Sequence, residues 1–313
     1  MTIWHKGAPL QDNQLCFEQE MLDRGLQYGD GFFTTLLLQQ GRVVNWPAHL
    51  QRIKHSAERL KFHNFRLESL VEDFSRFVQS LEGESAEKIA VKILVTRGFG
   101  GKGYQPPPNE EQQANWLFQS MPFPQAGGVA LSYFEKEASP PTWQIFPQCV
   151  TTSDVCFAQQ SLLAGLKHLN RLENVLARQA LIGTSFDEAI MCDTTGNCVS
   201  GTQSNLLWLK GDIVFTPDLS QSGVSGTTLP VVLELAERLG YEVEVGRFDL
   251  LEVAQADEIF FCNALRGVMP VTAWQNGEKL LQFSTEKTAK LAYHWLSWIN
   301  DNQTSYLDLA NDL

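Results

Sequence analysis

A chain of 313 residues, 43% of them hydrophobic, is long enough for two domains or one large one and apolar enough to bury a sizeable core. Its 24 Lys and Arg against 36 Asp and Glu leave a net charge of −12 with no basic run, which argues against a nucleic-acid or anionic-membrane partner. The N-terminus has no apolar stretch of signal-peptide length, no run approaches a bilayer span, and the six cysteines show neither a CxxC pair nor zinc-ligand spacing, so a cytoplasmic protein with reduced thiols and no metal is expected.

The first half reads as an α/β unit. A short strand is expected at residues 15–17. Tyr28-Gly29-Asp30-Gly31 is a glycine turn, residues 32–38 a β-rich run, and residues 42–46 the returning strand of a hairpin. Pro47 suits a first helical position, and Leu50, Ile53, Ala57 and Leu60 mark the apolar face of the helix that follows, with Arg52 beside that face. A second helix is expected over 67–81 and a strand over 89–97. That strand runs into GFGGKGY, ending at Tyr104, a loop too glycine-rich to be regular. After a proline-rich connector and a strand at 115–120, the segment MPFPQAGG (121–128) breaks both regular elements. It sets a boundary near residue 123, dividing a smaller domain, 1–122, from a larger one, 123–313.

The second half begins with an expected strand at 129–134 and a long, loop-like approach to GLKHLNRLENVLARQA. There Leu169, Leu172, Leu176 and Ala180 fall on one helical face with Val175 beside them, which places Lys167 at or just before a helix start. Strands are expected at 187–193, 242–247 and 256–264, with a hairpin across 198–217. GVSGTT (223–228) is a glycine-flexed turn feeding a helix N-terminus, a place where backbone N–H groups and the helix dipole favour an anion. A terminal helix follows Ser284 or Thr285, and the acidic tail is expected to fray.

A lone lysine is ordinarily an exposed surface residue. Lys167 stands out through its company: Arg52 beside a helix face and an anion-ready turn at 223–228. A lysine amine, a cation and a phosphate cup suit a phosphate-bearing aldehyde cofactor, and spacing alone fits a phosphosugar-binding enzyme equally.

The ordered segments DRGLQYGDGFFTT, HLQRI, RGFGGKGY, GLKHLNRLENVLAR, DEAIMCDTTGNCVSGTQSNLL, GVSGTTLP and ADEIFFCNALRGVMPV resemble the fold-type IV pyridoxal-phosphate enzymes. These comprise the branched-chain and D-amino-acid aminotransferases and their relative aminodeoxychorismate lyase, and the likeness runs collinearly over about residues 15–272. KHLNRLE and RGxGGxGY are most similar to the lyase branch. The resemblance implies an α/β (α+β) two-domain homodimer that binds pyridoxal 5′-phosphate between its domains. Lys167 matches the Schiff-base lysine, and Arg52 the phosphate-binding arginine. Val224, Ser225 and Gly226 match the backbone phosphate cup, and Asn263 and Ala264 another phosphate-side position. Thr35 is a candidate catalytic residue beside Lys167; Tyr104, Tyr28 and Arg97 are substrate-side candidates, with Arg266 a further one and Lys102 contributing local charge. The implied reaction is elimination from the small molecule 4-amino-4-deoxychorismate to 4-aminobenzoate and pyruvate, in folate synthesis. The alternatives are a branched-chain or D-amino-acid aminotransferase and a non-catalytic pyridoxal-phosphate binder.

Two departures separate this chain from the aminotransferases. Leu172 stands where they carry a tyrosine that contacts the cofactor phenolate. Ser200, five residues before Asn205, stands where most relatives carry a glutamate paired with the pyridine nitrogen. A serine does not hold that nitrogen protonated as a carboxylate does, and a neutral ring is a poorer electron sink. Ser200 is therefore expected to bias the chain toward elimination.

Overall fold

The computed structural model describes residues 3–5, 8–9, 22–82, 88–123 and 148–313. The strands expected at 15–17 and 129–134, Cys16 and the glycine end of the 121–128 segment lie outside the described residues. Two compact units form. One gathers residues 1–124, 167–170 and 301–313; the other holds 125–166 and 171–300.

The first unit is built on a seven-stranded sheet. Its strands include β1 (Ile3–His5), β2 (Ala8–Pro9), β3 (Gly31–Gln39), β4 (Arg42–Val44), β5 (Lys88–Thr96) and β6 (Asn115–Pro122). The centre is antiparallel: β3 pairs with β5 from Gly31↔Thr96 to Gln39↔Lys88, and β5 pairs in turn with β6. Helices α1 (Arg24–Tyr28), α2 (Trp46–Arg59) and α3 (Leu67–Ser80) belong to this unit. The start of α2 follows from Pro47 in its first turn, and its spacing of Leu50, Ile53 and Ala57 delivers all three to the core. That core joins Phe32, Leu36, Trp46, Phe74, Phe77 and Phe118. Strand alternation then splits β3: Phe32, Thr34 and Leu36 are buried, whereas Phe33 and Thr35 are half-buried on the opposite face.

The tail does not fray. Gln303–Thr304 pairs with β4, Leu309 is fully buried, and its carbonyl accepts a 2.9 Å hydrogen bond from the Trp46 indole. Nothing in the acidic composition of the tail signals this anchor. Met121 and Pro122, expected in a linker, close strand β6.

The second unit carries a nine-stranded sheet: β7 (Gln148–Thr152), β8 (Glu188–Cys192), β9 (Cys198–Ser200), β10 (Asn205–Lys210), β11 (Ile213–Pro217), β12 (Glu242–Gly246), β13 (Glu258–Asn263), β14 (Gly267–Asn276) and β15 (Lys279–Gln282). The pairings run β10-β13-β14-β7-β8-β9 and return to β10 through Asn205↔Ser200, so six strands close on themselves. Closure removes exposed edges. The approach to Lys167 thus contains β7, which pairs in parallel with both β14 and β8. Helices α4 (Leu172–Gln179), α5 (Leu229–Arg238), α6 (Leu250–Val253) and α7 (Glu286–Asp301) accompany this sheet.

Candidate active site

Lys167 precedes the helix rather than opening it. Helix α4 begins five residues later, because the backbone at 167–169 is spent on a strand: the Phe33 N–H donates to the Lys167 carbonyl at 2.9 Å and the Leu169 N–H to the Gly31 carbonyl at 3.0 Å. Asn170 fixes the end of the segment by donating to the Gly29 carbonyl at 3.0 Å. Held in this way, the half-buried Lys167 side chain shares the face of Phe33, with Nζ 4.5 Å from the ring centre. Thr35 lies on the same face by alternation, opposite Lys92 of β5.

Thr34, one residue away, faces the helices. Its Oγ1 stands 2.7 Å from Nδ1 of the buried His49 and accepts from Arg52 Nη1 at 3.4 Å. Since Arg52 can only donate, the hydroxyl proton is left for His49. Burial, with the charges of Arg52 and Lys167, holds His49 well below the ordinary imidazole range, and desolvation pulls Arg52 down to about 10. The imidazole is therefore neutral, and Arg52 supplies the positive charge of this cluster.

A second cluster fixes the glycine loop after β5. Asp30 accepts from Arg24 Nε at 2.9 Å and from Arg97 Nε at 2.9 Å. Burial raises the Asp30 pKa, but the two arginines outweigh it and hold the carboxyl below its usual range. Arg97 spends its remaining donors on the Leu60 and Lys61 carbonyls and on Gln112, at 2.7, 2.8 and 3.2 Å. Arg24 reaches the Gly103 and Tyr104 carbonyls at 3.0 and 3.1 Å. The structure thus places Arg97 in the frame of the loop. Tyr28 and Tyr104 come together edge to face at 5.6 Å, with Tyr104 89% exposed. Lys102 is exposed on the same loop.

In the second unit, Asn205 at the head of β10 clamps the 223–226 turn. Its Nδ2 donates to the Val224 carbonyl at 2.9 Å and its Oδ1 accepts from the Gly226 N–H at 3.1 Å. A Cβ at Gly226 would stand 2.1 Å from that Oδ1, so only glycine fits. The Ser225 N–H donates to the Gly165 carbonyl at 3.0 Å, and Gly165 in turn to Gly223 at 3.1 Å. The amides of Ser225 and Gly226, expected to cup a phosphate, are thus spent on the turn's own frame, which leads directly into α5. Lys167 follows Gly165 by two residues of chain. Arg171 Nη2 donates to the Leu166 carbonyl at 2.6 Å.

Ser200 is buried and its hydroxyl donates to the Gly201 carbonyl at 2.7 Å. The nearby carboxylate, Glu188, is committed to the Thr202 N–H at 2.8 Å, the Ser204 hydroxyl at 2.7 Å and the Thr202 hydroxyl. Asn263 caps the β13–β14 turn, accepting from the Leu265 and Arg266 N–H groups at 3.1 and 2.8 Å, and Ala264 lies half-buried within it.

The sequence profile of the aminotransferase class IV family matches residues 31–274. The aminodeoxychorismate lyase of Vibrio harveyi is 34% identical over 270 residues, 86% of this chain and 92% of that protein. The chain belongs to the aminotransferase class IV family. A putative branched-chain-amino-acid aminotransferase of Methanocaldococcus jannaschii is 27% identical over 80% of this chain and 81% of its own length. Among solved structures, the 4-amino-4-deoxychorismate lyase of Pseudomonas aeruginosa superposes with a TM-score of 0.77 at 30% identity, covering 96% of this chain and 98% of that one.

The two-domain fold-type IV architecture and dependence on pyridoxal phosphate follow from that membership. Residues of the first unit fit the group: Lys167 offers the amine that takes an aldehyde, and Arg52 a desolvated cation for a phosphate. Sequence reasoning missed Thr34, His49, Asp30, Arg24, Asn205 and Lys92. Strand parity could have raised Thr34, since it shares its face with the core residues Phe32 and Leu36. No local pattern marks the others, whose partners are distant in sequence.

Proposed function

We propose that this protein is a 4-amino-4-deoxychorismate lyase. The observation that carries the reading is the match to the Vibrio harveyi lyase at 34% identity over 92% of that protein, against 27% for the Methanocaldococcus jannaschii aminotransferase. Leu172, 67% exposed at the start of α4, supplies no phenol, in agreement with the elimination reading over the aminotransferase one.

Pyridoxal phosphate, when bound, supplies the carbonyl that captures the substrate amine and the ring that draws electrons from the adjoining carbon. Lys167 holds the group before substrate arrives. Its freed amine then takes the proton from the amine-bearing carbon, while the carbon–oxygen bond to the enolpyruvyl group breaks and that oxygen leaves with the electron pair. Arg52 neutralises the phosphate, and the neutral His49 keeps a second cation out of the cluster and orients Thr34 beneath it. Aromatisation makes the overall step downhill, so the chain's work is positioning plus one proton transfer.

We further read the protein as a cytoplasmic homodimer. In support, the five described cysteines are free, and α4 exposes Leu172, Val175 and Leu176 at i, i+3, i+4 spacing, an apolar stripe of the kind that pairs with another surface. No helix among the described residues is long and apolar enough to cross a membrane. The test is holoenzyme with 4-amino-4-deoxychorismate and no oxo acid. Equimolar 4-aminobenzoate and pyruvate over repeated turnovers supports the lyase; conversion of the cofactor to its amine form by amino acids, without those products, supports an aminotransferase.

A further inference from the structure

The turn between β8 and β9 brings two cysteines together. Cys192 ends β8, Cys198 opens β9, and the two are cross-strand partners. Their Sγ atoms lie 3.8 Å apart in the second unit's core, with Cys192 8% exposed and Cys198 2%. The turn at 193–197 is held by the Asp193 carboxylate, which accepts from the Thr195 N–H at 2.9 Å, the Asn197 N–H at 3.1 Å and Gln159 Nε2 at 2.8 Å. Gly196 supplies its left-handed residue, at φ 87°.

The backbone sets these side chains toward each other. The Cys198 N–H donates to the Phe248 carbonyl at 2.7 Å, and the Cys192 carbonyl accepts from the Phe157 N–H at 2.9 Å, so both groups point away from the pair. The next rung, from the Asp193 N–H to the Asn197 carbonyl at 2.8 Å, joins the two strands. Cys192 and Cys198 therefore form a non-hydrogen-bonded pair, in which opposed Cα atoms approach to about 4.5 Å and side chains stand closest. Disulfides span Cα separations of about 4.4–6.8 Å, so this register already admits one. The hydrogen bond between the sulfurs favours charge on Cys192, lowering its pKa, and raises that of Cys198. A thiolate is the form that reacts, and Cys192 is also the more exposed of the two. Burial instead raises the thiols of Cys149 and Cys262.

We propose that Cys192 and Cys198 are a reversible oxidation site, at which a hydroperoxide converts the two thiols to a disulfide that ties β8 to β9. The Cys192 sulfur, having given up its proton, attacks the distal peroxide oxygen. An S–O bond forms, the O–O bond breaks, and the departing oxygen takes that proton and leaves as an alcohol or water. The Cys198 sulfur, losing its own proton, then attacks the Cys192 sulfur. The S–S bond forms, the S–O bond breaks, and the hydroxyl leaves with the proton as water. The two thiols give up two electrons, and the peroxide takes them. Closure brings the sulfurs from 3.8 Å to about 2.05 Å by side-chain rotation within the existing register, so Ser200, two residues along β9, keeps its place. Because Cys198 captures the sulfenic acid, Cys192 is kept from the irreversible sulfinic acid.

The test treats native holoenzyme with excess hydrogen peroxide, blocks the remaining thiols with iodoacetamide and maps tryptic peptides by mass without reduction. Both cysteines fall in one peptide, residues 179–210. In wild type that peptide should become two hydrogens lighter and take no alkyl group, dithiothreitol should restore both thiols, and the visible cofactor band should not change. In Cys198→Ser, Cys192 should accumulate sulfinic acid that dithiothreitol does not reverse. Recovery of wild-type Cys192 and Cys198 still alkylated, under a dose that oxidises the exposed Cys156, would overturn the proposal. So would equal sulfinic acid at Cys192 in wild type and in Cys198→Ser. Loss of the cofactor band in step with the bridge would overturn the claim that β9 stays in place. If Cys198→Ser does not fold, the wild-type map, which needs no substitution, decides alone.

Discussion

Asp30→Asn probes the frame of the glycine loop. The substitution keeps the shape but removes the charge shared by two arginine Nε donors, each 2.9 Å away. The arginine side chains are only 4% and 9% exposed, so their charges would be left largely desolvated. Each charge-assisted bond contributes about 1.5–3 kcal/mol, and breaking a buried pair costs about 3–5 kcal/mol. The carbonyls that still receive Arg24 and Arg97 bring the expected loss to the lower end, about 3 kcal/mol. The Asp30 pKa is lowered in the fold, so its contribution is present above the unfolded carboxylate value and disappears as pH falls through the folded one. Urea denaturation of both proteins should therefore show a gap of about 3 kcal/mol at neutral pH that closes on acidification below about pH 4. A gap under about 1 kcal/mol at neutral pH, or one that persists unchanged in acid, would refute the buried-clamp argument.

Three further outcomes are expected. Arg52→Gln should weaken cofactor retention by about 10- to 100-fold, read as loss of the visible band on dialysis, with little change in melting temperature of the cofactor-free protein. His49 is held neutral by burial, so the unfolded chain takes a proton that the folded one refuses. Wild-type stability should fall by up to ~1.4 kcal/mol per pH unit below about pH 6.5, and His49→Gln should flatten that slope in urea midpoints taken at several pH values. Ser200→Glu should not lower any transaminase side activity and should change at least one of the two activities, because Glu188 is committed to Thr202 and Ser204 and is not free to pair with the ring nitrogen; a variant with both activities untouched would sink the electronic argument.

The elements that read clearly from sequence are those in which local pattern and tertiary demand agree. Helix α2 takes its start from Pro47 and its face from Leu50, Ile53 and Ala57, and those residues are the core. Strand β3 and the β10–β11 hairpin follow in the same way. The stretch after Gly165 misleads because its leucine spacing is helical while its first backbone groups pair with Gly31 and Phe33, and Leu172, Val175 and Leu176 face outward at 67%, 57% and 46% exposure. Periodicity reports which residues share a helix face; it does not report where the helix begins or whether the unit itself buries that face. Arg97 shows the same limit in the site. Its residue type suits a substrate carboxylate, but its donors are fixed by Asp30, Leu60 and Lys61, contacts that only the fold reveals. Thr34 and Thr35 are adjacent and chemically identical, and the side of β3 each occupies decides which meets Arg52 and which meets the face of Lys167.

The most direct measurement is release of both products by purified holoenzyme from 4-amino-4-deoxychorismate, in the absence of any oxo acid, beside the Lys167→Ala variant. Equal amounts of 4-aminobenzoate and pyruvate over many turnovers, lost in the variant, are what the account requires. No product from wild type, with its cofactor instead converted to the amine form by amino acids, would contradict it.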